Sequence, residues 1–157
     1  MPEAGDAGAG RVLALDWGTR RFGVALSDPS RLIAQPLTTL TRRPGRRPPV
    51  REIVELIARH AVVLVVVGLP LDLEGEEGEA AGEARALGEA VQRRSGVPVA
   101  FLDERLSTAA ALRSARQAGV RDRDSRERID QMAAAAILQH WLDAQRATGA
   151  RSHGGTE

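Results

Sequence analysis

The sequence predicts a mixed α/β fold in which one sheet carries helices on both faces. The segment Ala61–Gly68 (AVVLVVVG) is β-branched along its whole length, which is typical of a central strand that is covered on both sides. A short apolar run, Arg11–Asp16, precedes an alternating run, Arg20–Asp28, and the turn between them predicts an antiparallel hairpin. Helical periodicities alternate with the later strands, which predicts parallel strands joined by right-handed crossovers.

The remaining elements are predicted from the alternation typical of strands and from the period of about 3.6 residues typical of helices. They are a weaker third strand over Ile33–Leu40, an amphipathic helix over Val50–His60, a helix over Glu79–Arg94, a fifth strand over Pro98–Leu102, a helix over Ser107–Ala118 and a last helix from Arg126 to about Arg146. In such sheets, binding and catalytic sites lie beyond the carboxyl ends of the parallel strands. Functional side chains are therefore expected at that edge.

Length and composition favour a single domain. With 157 residues and 43% hydrophobic side chains, the chain can bury one core, which we expect over residues 11–146 between disordered tails at 1–10 and 147–157. The sequence contains no apolar run long enough to span a bilayer and no secretory pattern at its start. The protein is expected to be cytoplasmic, with no membrane partner.

The composition also restricts the chemistry. The chain has no cysteine, and its three histidines have no metal-ligand spacing, which excludes thiolate nucleophiles, disulfides and cysteine-based zinc sites. All 22 basic residues are arginines, and they concentrate in two stretches, Arg42–Arg51 and Arg113–Arg128. An acidic block, Asp72–Glu83, lies between them. This polarity suits a protein that binds phosphates through part of its surface, because arginine makes bidentate contacts with them.

Three acidic residues occupy positions where a folded protein would bury their charge at a cost in free energy. Asp16 ends an apolar strand, Glu104 follows another, and Asp130 lies on the apolar face of a helix. A buried carboxylate is costly unless it is paired, protonated or coordinated, so the pattern favours an oxygen-ligand divalent cation site. Asp103 is an alternative to Glu104, because adjacent strand residues point to opposite faces and only one of the two can enter the site.

Helical geometry places Asp130 on a buried stripe. It lines up with Ile137, and the small residues Ala133–Ala136 would let the helix approach the sheet closely. Its position near the predicted helix start would also favour the anion. The alternative is an ordinary first-turn acid or a salt bridge to Arg126 or Arg128.

Several blocks of the sequence resemble the YqgF/RuvX family. They are Leu15–Ala25 (LDWGTRRFGVA) with Ser27-Asp28, Gln35-Pro36-Leu37, Val67–Pro70 (VGLP), Asp103–Thr108 (DERLST) and Ile129–Ala134 (IDQMAA) with Ile137-Leu138, in that family's order. The resemblance implies an RNase H-like fold related to Holliday-junction resolvases. It also implies a nuclease that matures the 5′ end of pre-16S rRNA, with Asp16, Glu104 and Asp130 as its catalytic and metal-binding triad.

The carboxylates suit a mechanism with two Mg²⁺ or Mn²⁺ ions roughly 4 Å apart, which would activate a water and stabilise the departing oxygen. Asp16 is the best candidate to bridge both ions, with Glu104 and Asp130 each holding one. Resolvases of the RuvC type carry a glutamate at the end of the fourth strand, where this chain has Gly68-Leu69-Pro70. The number of ions is therefore open.

Arginines beside these carboxylates are candidate contacts to the substrate backbone. Trp17 is the better of two candidates for stacking on a base, since Trp141 lies on an apolar stripe. The candidate nucleic-acid-binding residues are Arg20, Arg21, Arg105, Arg121 and Arg123.

Other functions are kept as alternatives. The motif Asp16-x-Gly18-Thr19 followed by Gly23 also resembles the first phosphate loop of actin-like ATPases, although 157 residues supply only one of their two lobes. A non-catalytic nucleic-acid binder is a third class. Among nucleases, the substrate could be pre-16S rRNA, within ribosomal particles or alone, or a four-way DNA junction. Symmetric cutting of a junction would need a homodimer, and the sequence does not decide between monomer and dimer.

Overall fold

The chain folds around one five-stranded sheet. The computed structural model describes residues 10–17, 21–42, 47–70, 78–103, 108–109, 111–112 and 122–155. Its strands are β1 (Arg11–Asp16), β2 (Arg21–Ser27), β3 (Ala34–Thr41), β4 (Val62–Leu69) and β5 (Val99–Asp103). Its long helices are α1 (Val50–Arg59), α2 (Glu79–Ser95) and α3 (Arg123–Gly155). Among the described residues, no helix has the length and apolar character needed to cross a membrane.

The strand order is β3-β2-β1-β4-β5. β2 pairs antiparallel with both β1 and β3, whereas β1–β4 and β4–β5 are parallel pairs. The mixed sheet and the initial hairpin are therefore as predicted. β1, β4 and β5 end at one edge of the sheet, at Asp16, Leu69 and Asp103, and we call this the carboxyl edge.

The two faces of the sheet are covered by different helices. On one face, α1 and α2 pack over a cluster that includes Leu13, Leu15 and Val67. On the other, α3 packs over a cluster that includes Val12 and Ala14. Neighbouring residues of β1 thus enter opposite cores, as strand alternation requires. We refer to these as the α1/α2 face and the α3 face.

Hydrogen bonds from β3 fix the position of α3 along the sheet. The Thr39 hydroxyl donates to the Glu127 carbonyl at 2.9 Å and accepts from Gln131 Nε2 at 3.2 Å. Nearer the start of β3, the Ala34 N–H donates to Gln139 Oε1 at 2.9 Å. Two such anchors along one helix prevent it from sliding, so they hold the segment around Asp130 in register.

The helix α3 begins earlier and ends later than the sequence predicts. Asp122 caps its start, because the backbone N–H and the hydroxyl of Ser125 donate to Asp122 Oδ2 at 3.2 and 2.9 Å. These hydrogen bonds, that of the hydroxyl first, lower the pKa of the Asp122 carboxyl. The helix continues to Gly155, into the predicted tail. The predicted helix Ser107–Ala118 lies mostly outside the described residues, of which 108–109 and 111–112 are helical.

A second aspartate orders the turn between β2 and β3. Asp28 Oδ1 accepts hydrogen bonds from the backbone N–H groups of Leu32 and Ile33 at 2.8 and 2.9 Å, and Oδ2 accepts one from the Ser30 hydroxyl. The bond from Ile33 is the main cause that lowers the pKa of Asp28 to about 2. Asp28 therefore has a structural role in this turn. The turn follows the end of β2 and lies apart from the carboxyl edge.

Candidate functional site

Asp16 is buried at the carboxyl edge of β1. Its side chain is 1% exposed. Because it alternates in register with Val12 and Ala14, which pack under α3, its carboxylate lies on the α3 face. A buried carboxylate at the end of a central strand is expensive to maintain without compensating charge or hydrogen bonds.

Gly23 allows helix α3 to approach the sheet closely beside Asp16. It lies directly opposite Asp16 in the β1–β2 pair, so the two residues share a face. A Cβ atom at Gly23 would lie 1.9 Å from the backbone carbonyl oxygen of Asp130. The helix backbone therefore crosses the sheet at Asp130, directly over the position opposite Asp16, and only a glycine permits this approach. Two distant acidic residues are thereby brought to adjacent positions.

Asp130 is fully buried and paired with Arg21. Its side chain is 0% exposed, and Arg21 Nε donates to its Oδ2 at 2.8 Å. Arg21 precedes Gly23 by two residues in β2, so it points to the same α3 face. The helix dipole predicted to favour the Asp130 anion contributes little, because α3 begins at Arg123, about two turns earlier, and the dipole effect fades within the first turn. Arg21 supplies the compensating charge instead.

The register of β5 separates Asp103 from Asp16. Asp103 is opposite Leu69, and it alternates with Phe101 on the α1/α2 face, whereas Leu102 packs on the α3 face. Asp103 and Asp16 therefore lie on opposite faces of the sheet. Of the two alternatives for the third acidic position, this disfavours Asp103. Glu104 itself lies outside the described residues.

The described part of the chain holds two of the three predicted acidic ligands. Within residues 10–17, 21–42, 47–70, 78–103 and 122–148, no group of three His, Cys, Asp or Glu side chains is arranged to hold a metal ion. The described site consists of the Asp16 and Asp130 carboxylates with the Arg21 guanidinium beside them.

The predicted substrate-binding arginines fall into separate groups. Arg21 is directed at Asp130 and has only 20% of its side chain exposed. Arg123 is 76% exposed and pairs with Glu127, Nε to Oε1 at 3.2 Å, one turn along α3. Glu127 is thus engaged in an ion pair on the helix surface. The remaining three, Arg20, Arg105 and Arg121, lie outside the described residues.

Trp17 does not offer a stacking surface for a base. Its side chain is 5% exposed in the core of the α1/α2 face, and its ring meets Phe22 edge to face, with centroids 4.9 Å apart and planes at 64°. The prediction that Trp17 stacks on a base is therefore wrong. It follows Asp16 by one residue, so strand alternation sends it to the opposite face, into the core.

Arg126 was considered from the sequence as a salt-bridge partner of Asp130, and the structure pairs Asp130 with Arg21. The Nε atom of Arg126 is buried and has no hydrogen-bond partner among the described residues. Arg126 precedes Asp130 by four residues, so both lie on one face of α3. The same spacing makes Arg126 a candidate partner of Asp130 in the sequence, and it places a guanidinium near the site.

The sheet order, the covering helices and the acidic residue at the end of the first strand define an RNase H-like α/β protein. The structure is similar to that of RuvC from Thermus thermophilus, solved in complex with a Holliday junction substrate. The match has a TM-score of 0.52 and 20% identity, and it covers 88% of this chain and 96% of that one. At this identity the similarity establishes the shared fold.

The sequence comparisons are more specific. Residues 10–144 match the family model described as RuvX, Holliday junction resolvase. A Mycobacterium tuberculosis protein named "Putative pre-16S rRNA nuclease" is 46% identical over 156 residues, covering 98% of this chain and 91% of its own. A Rhodococcus erythropolis protein of the same name is 44% identical over 146 residues, covering 90% of this chain and 82% of its own. The chain belongs to the RuvX family.

Proposed function

We propose that this protein is a divalent-metal-dependent nuclease that hydrolyses phosphodiester bonds in the 5′-end maturation of pre-16S rRNA. The observation that carries the proposal is the convergence of Asp16 and Asp130, buried on one face at the carboxyl edge, where Gly23 admits the backbone of α3. Family membership and the names of the relatives support nucleic acid as the substrate. The same proposal gives the protein a cytoplasmic location, with ribosomal particles as candidate partners.

The chemistry of the described residues fits Mg²⁺ or Mn²⁺. Both ions prefer oxygen ligands, and two buried carboxylates gain by coordinating a cation that compensates their charge. The bound ion would act as a Lewis acid toward a phosphoryl oxygen and a water. Asp16, on the central strand, and Asp130, on the helix above it, would hold the ion from two sides.

We assign the third ligand to Glu104, as the resemblance to the RuvX family implies. Asp103, its alternative, lies on the α1/α2 face, opposite to that of Asp16. This assignment needs no acid at the end of β4, where Gly68 lies opposite Asp16 in the register. With three carboxylates, the chain would supply all charges needed for the site without histidine or cysteine.

The substrate choice can be tested with one panel. Purified protein with Mn²⁺ is incubated with a pre-16S rRNA fragment that spans the 5′ processing site, a four-way DNA junction and plain duplex DNA. We expect cleavage of the RNA at the 5′ side of the mature sequence and none in EDTA. Cleavage that persists in EDTA would contradict the metal dependence, and selective cutting of the junction would replace the RNA by the junction as substrate.

Junction resolution is the second candidate, favoured by the description of the matching family model. Symmetric cutting requires two active sites and therefore a dimer. Light scattering after size exclusion, with and without the junction, measures whether such a dimer forms. The actin-like alternative has less support, because the matching family model is that of a resolvase.

Replacing Arg21 with glutamine should change how the protein responds to metal. The substitution leaves the buried Asp130 carboxylate without its 2.8 Å guanidinium, so the metal-free protein should lose about 1–3 kcal/mol of its free energy of unfolding. Because the same carboxylate is a proposed metal ligand, Mn²⁺ should raise the melting temperature of Arg21→Gln more than that of wild type. Thermal unfolding with and without Mn²⁺ measures both effects.

Arg123→Gln is the matched control for this prediction. It removes an exposed pair with Glu127 on the surface of α3, which is worth about 0.3–0.5 kcal/mol. The response of this variant to Mn²⁺ should equal that of wild type. If Mn²⁺ stabilises Arg21→Gln less than wild type, Arg21 supports the metal site instead of competing for it.

A further inference from the structure

A large cavity opens at the carboxyl edge on the face opposite Asp16. It has a volume of about 1210 Å³ and is bounded by Trp17 just after β1, by the end of β3 at Thr41, by the start of α1 and by the side of α2 from Glu83 to Arg94. Since Trp17 follows Asp16 directly, the cavity and the candidate metal site are separated by the edge of one strand. A chain that crosses this edge would pass from one to the other.

The cavity wall carries more positive than negative charge. Four arginines line it, from the segment before α1, the first turn of α1 and the end of α2, against two glutamates, Glu52 and Glu83. One glutamate is already engaged, with Arg42 Nη1 3.9 Å from Glu83 Oε2. The four arginines are Arg42, Arg47, Arg51 and Arg94. Such a cluster is suited to phosphate, because guanidinium groups bind it in bidentate fashion.

The start of α1 faces the same cavity. The helix begins after Pro49 without a side-chain cap, and both Pro49 and Val50 line the wall. An uncapped helix start presents a partial positive charge that adds to the arginines. Leu87 contributes apolar surface from α2. Apolar surface beside cationic groups matches the two parts of a nucleotide, its base and its phosphate.

We propose that this cavity binds a single-stranded segment of the substrate that continues past the scissile phosphate over the edge of the sheet. The inference rests on the proposed nuclease function and names the part of the substrate that the opposite face would hold. The volume of the cavity exceeds that of a typical small-molecule pocket, roughly 300–1,000 Å³. This favours a short strand as the occupant over a single nucleotide. The arginines would contact consecutive phosphates, so binding would depend on salt and little on sequence.

Two double variants with equal charge test the proposal. Arg47→Ala with Arg94→Ala removes two exposed cavity arginines, whereas Arg59→Ala with Arg93→Ala removes two exposed arginines of α1 and α2 that do not line the cavity. The probe is a labelled single-stranded RNA of about ten nucleotides, with DNA of the same sequence as a second arm. Binding is measured by fluorescence anisotropy in EDTA, which prevents cleavage, over a range of salt concentrations.

We expect the variant Arg47→Ala with Arg94→Ala to bind the RNA about tenfold more weakly than wild type near 0.1 M salt. The slope of log affinity against log salt should fall by about 1.4, the value for two phosphate contacts. The variant Arg59→Ala with Arg93→Ala should bind the RNA with the affinity of wild type. Equal weakening in both double variants would overturn the proposal, because only net charge would then matter, and so would no weakening in either. If wild type cleaves none of the substrates while Arg47→Ala with Arg94→Ala weakens binding, the nuclease function fails and the cavity assignment stands.

Discussion

Asp16→Asn is expected to reduce metal-dependent cleavage by about 10³-fold, the upper end of what one electrostatic group contributes to a transition state. The change removes one negative charge from a position that is 1% exposed, while it keeps the size of the side chain. Because a neutral amide is a poor ligand for Mg²⁺ or Mn²⁺, the loss should appear in cleavage and in metal binding together. Folding should be retained, since no buried group loses volume.

Asp103→Asn is the matched control for this substitution. It removes the same charge at the same edge of the sheet, but from β5 on the α1/α2 face. Its cleavage rate should stay close to that of wild type, and the rate of both variants is measured with a labelled pre-16S rRNA fragment across a Mn²⁺ titration. Cleavage by Asp16→Asn at the wild-type rate, or an equal loss in Asp103→Asn, would show that the faces are assigned wrongly.

Gly23→Ala is expected to destabilise the protein by about 3 kcal/mol, the upper end of the cost of overpacking. The new Cβ would lie 1.9 Å from the Asp130 oxygen and 2.4 Å from its carbonyl carbon, both backbone atoms, so no side-chain rotation relieves the clash. The helix α3 would have to move away from β2, carrying Asp130 with it. Affinity for Mn²⁺ should therefore fall along with stability. Denaturant unfolding and calorimetric titration measure the two effects.

Gly82→Ala serves as the control for the glycine substitution. Gly82 lies within α2, and a Cβ there would meet nothing within 4 Å. Because alanine is the better helix former, this variant should gain about 0.5–1 kcal/mol. If Gly23→Ala is as stable as wild type and binds Mn²⁺ equally well, close contact between α3 and β2 does not position Asp130.

Most of the sheet could be predicted from the sequence because its strands are bounded by clear changes of period. The β-branched run of β4 and the alternation in β2 allow few other structures. The start of α3 was misplaced because Asp122 is one of several polar residues before the apolar stripe. Only the hydrogen bonds from Ser125 distinguish it as the cap.

The site itself was less accessible to sequence reasoning. Patterns along the chain point to Asp16 and Asp130 separately, since Asp16 ends an apolar strand and Asp130 lies on the apolar face of a helix. The contact between Gly23 and α3, and the ion pair between Arg21 and Asp130, join residues far apart in sequence. No local periodicity encodes such a contact. The face of Trp17 was predictable in principle, because it follows from the alternation that directs Asp16 to α3.

The central claim is that Asp16 and Asp130 bind a common divalent cation. A crystal structure of the protein with Mn²⁺, using anomalous diffraction at the manganese edge, tests this most directly. We predict an anomalous peak between the two carboxylates, about 2.0–2.3 Å from an oxygen of each and also within reach of Glu104. Saturating Mn²⁺ with no peak there, or a peak only at other carboxylates, would contradict the claim.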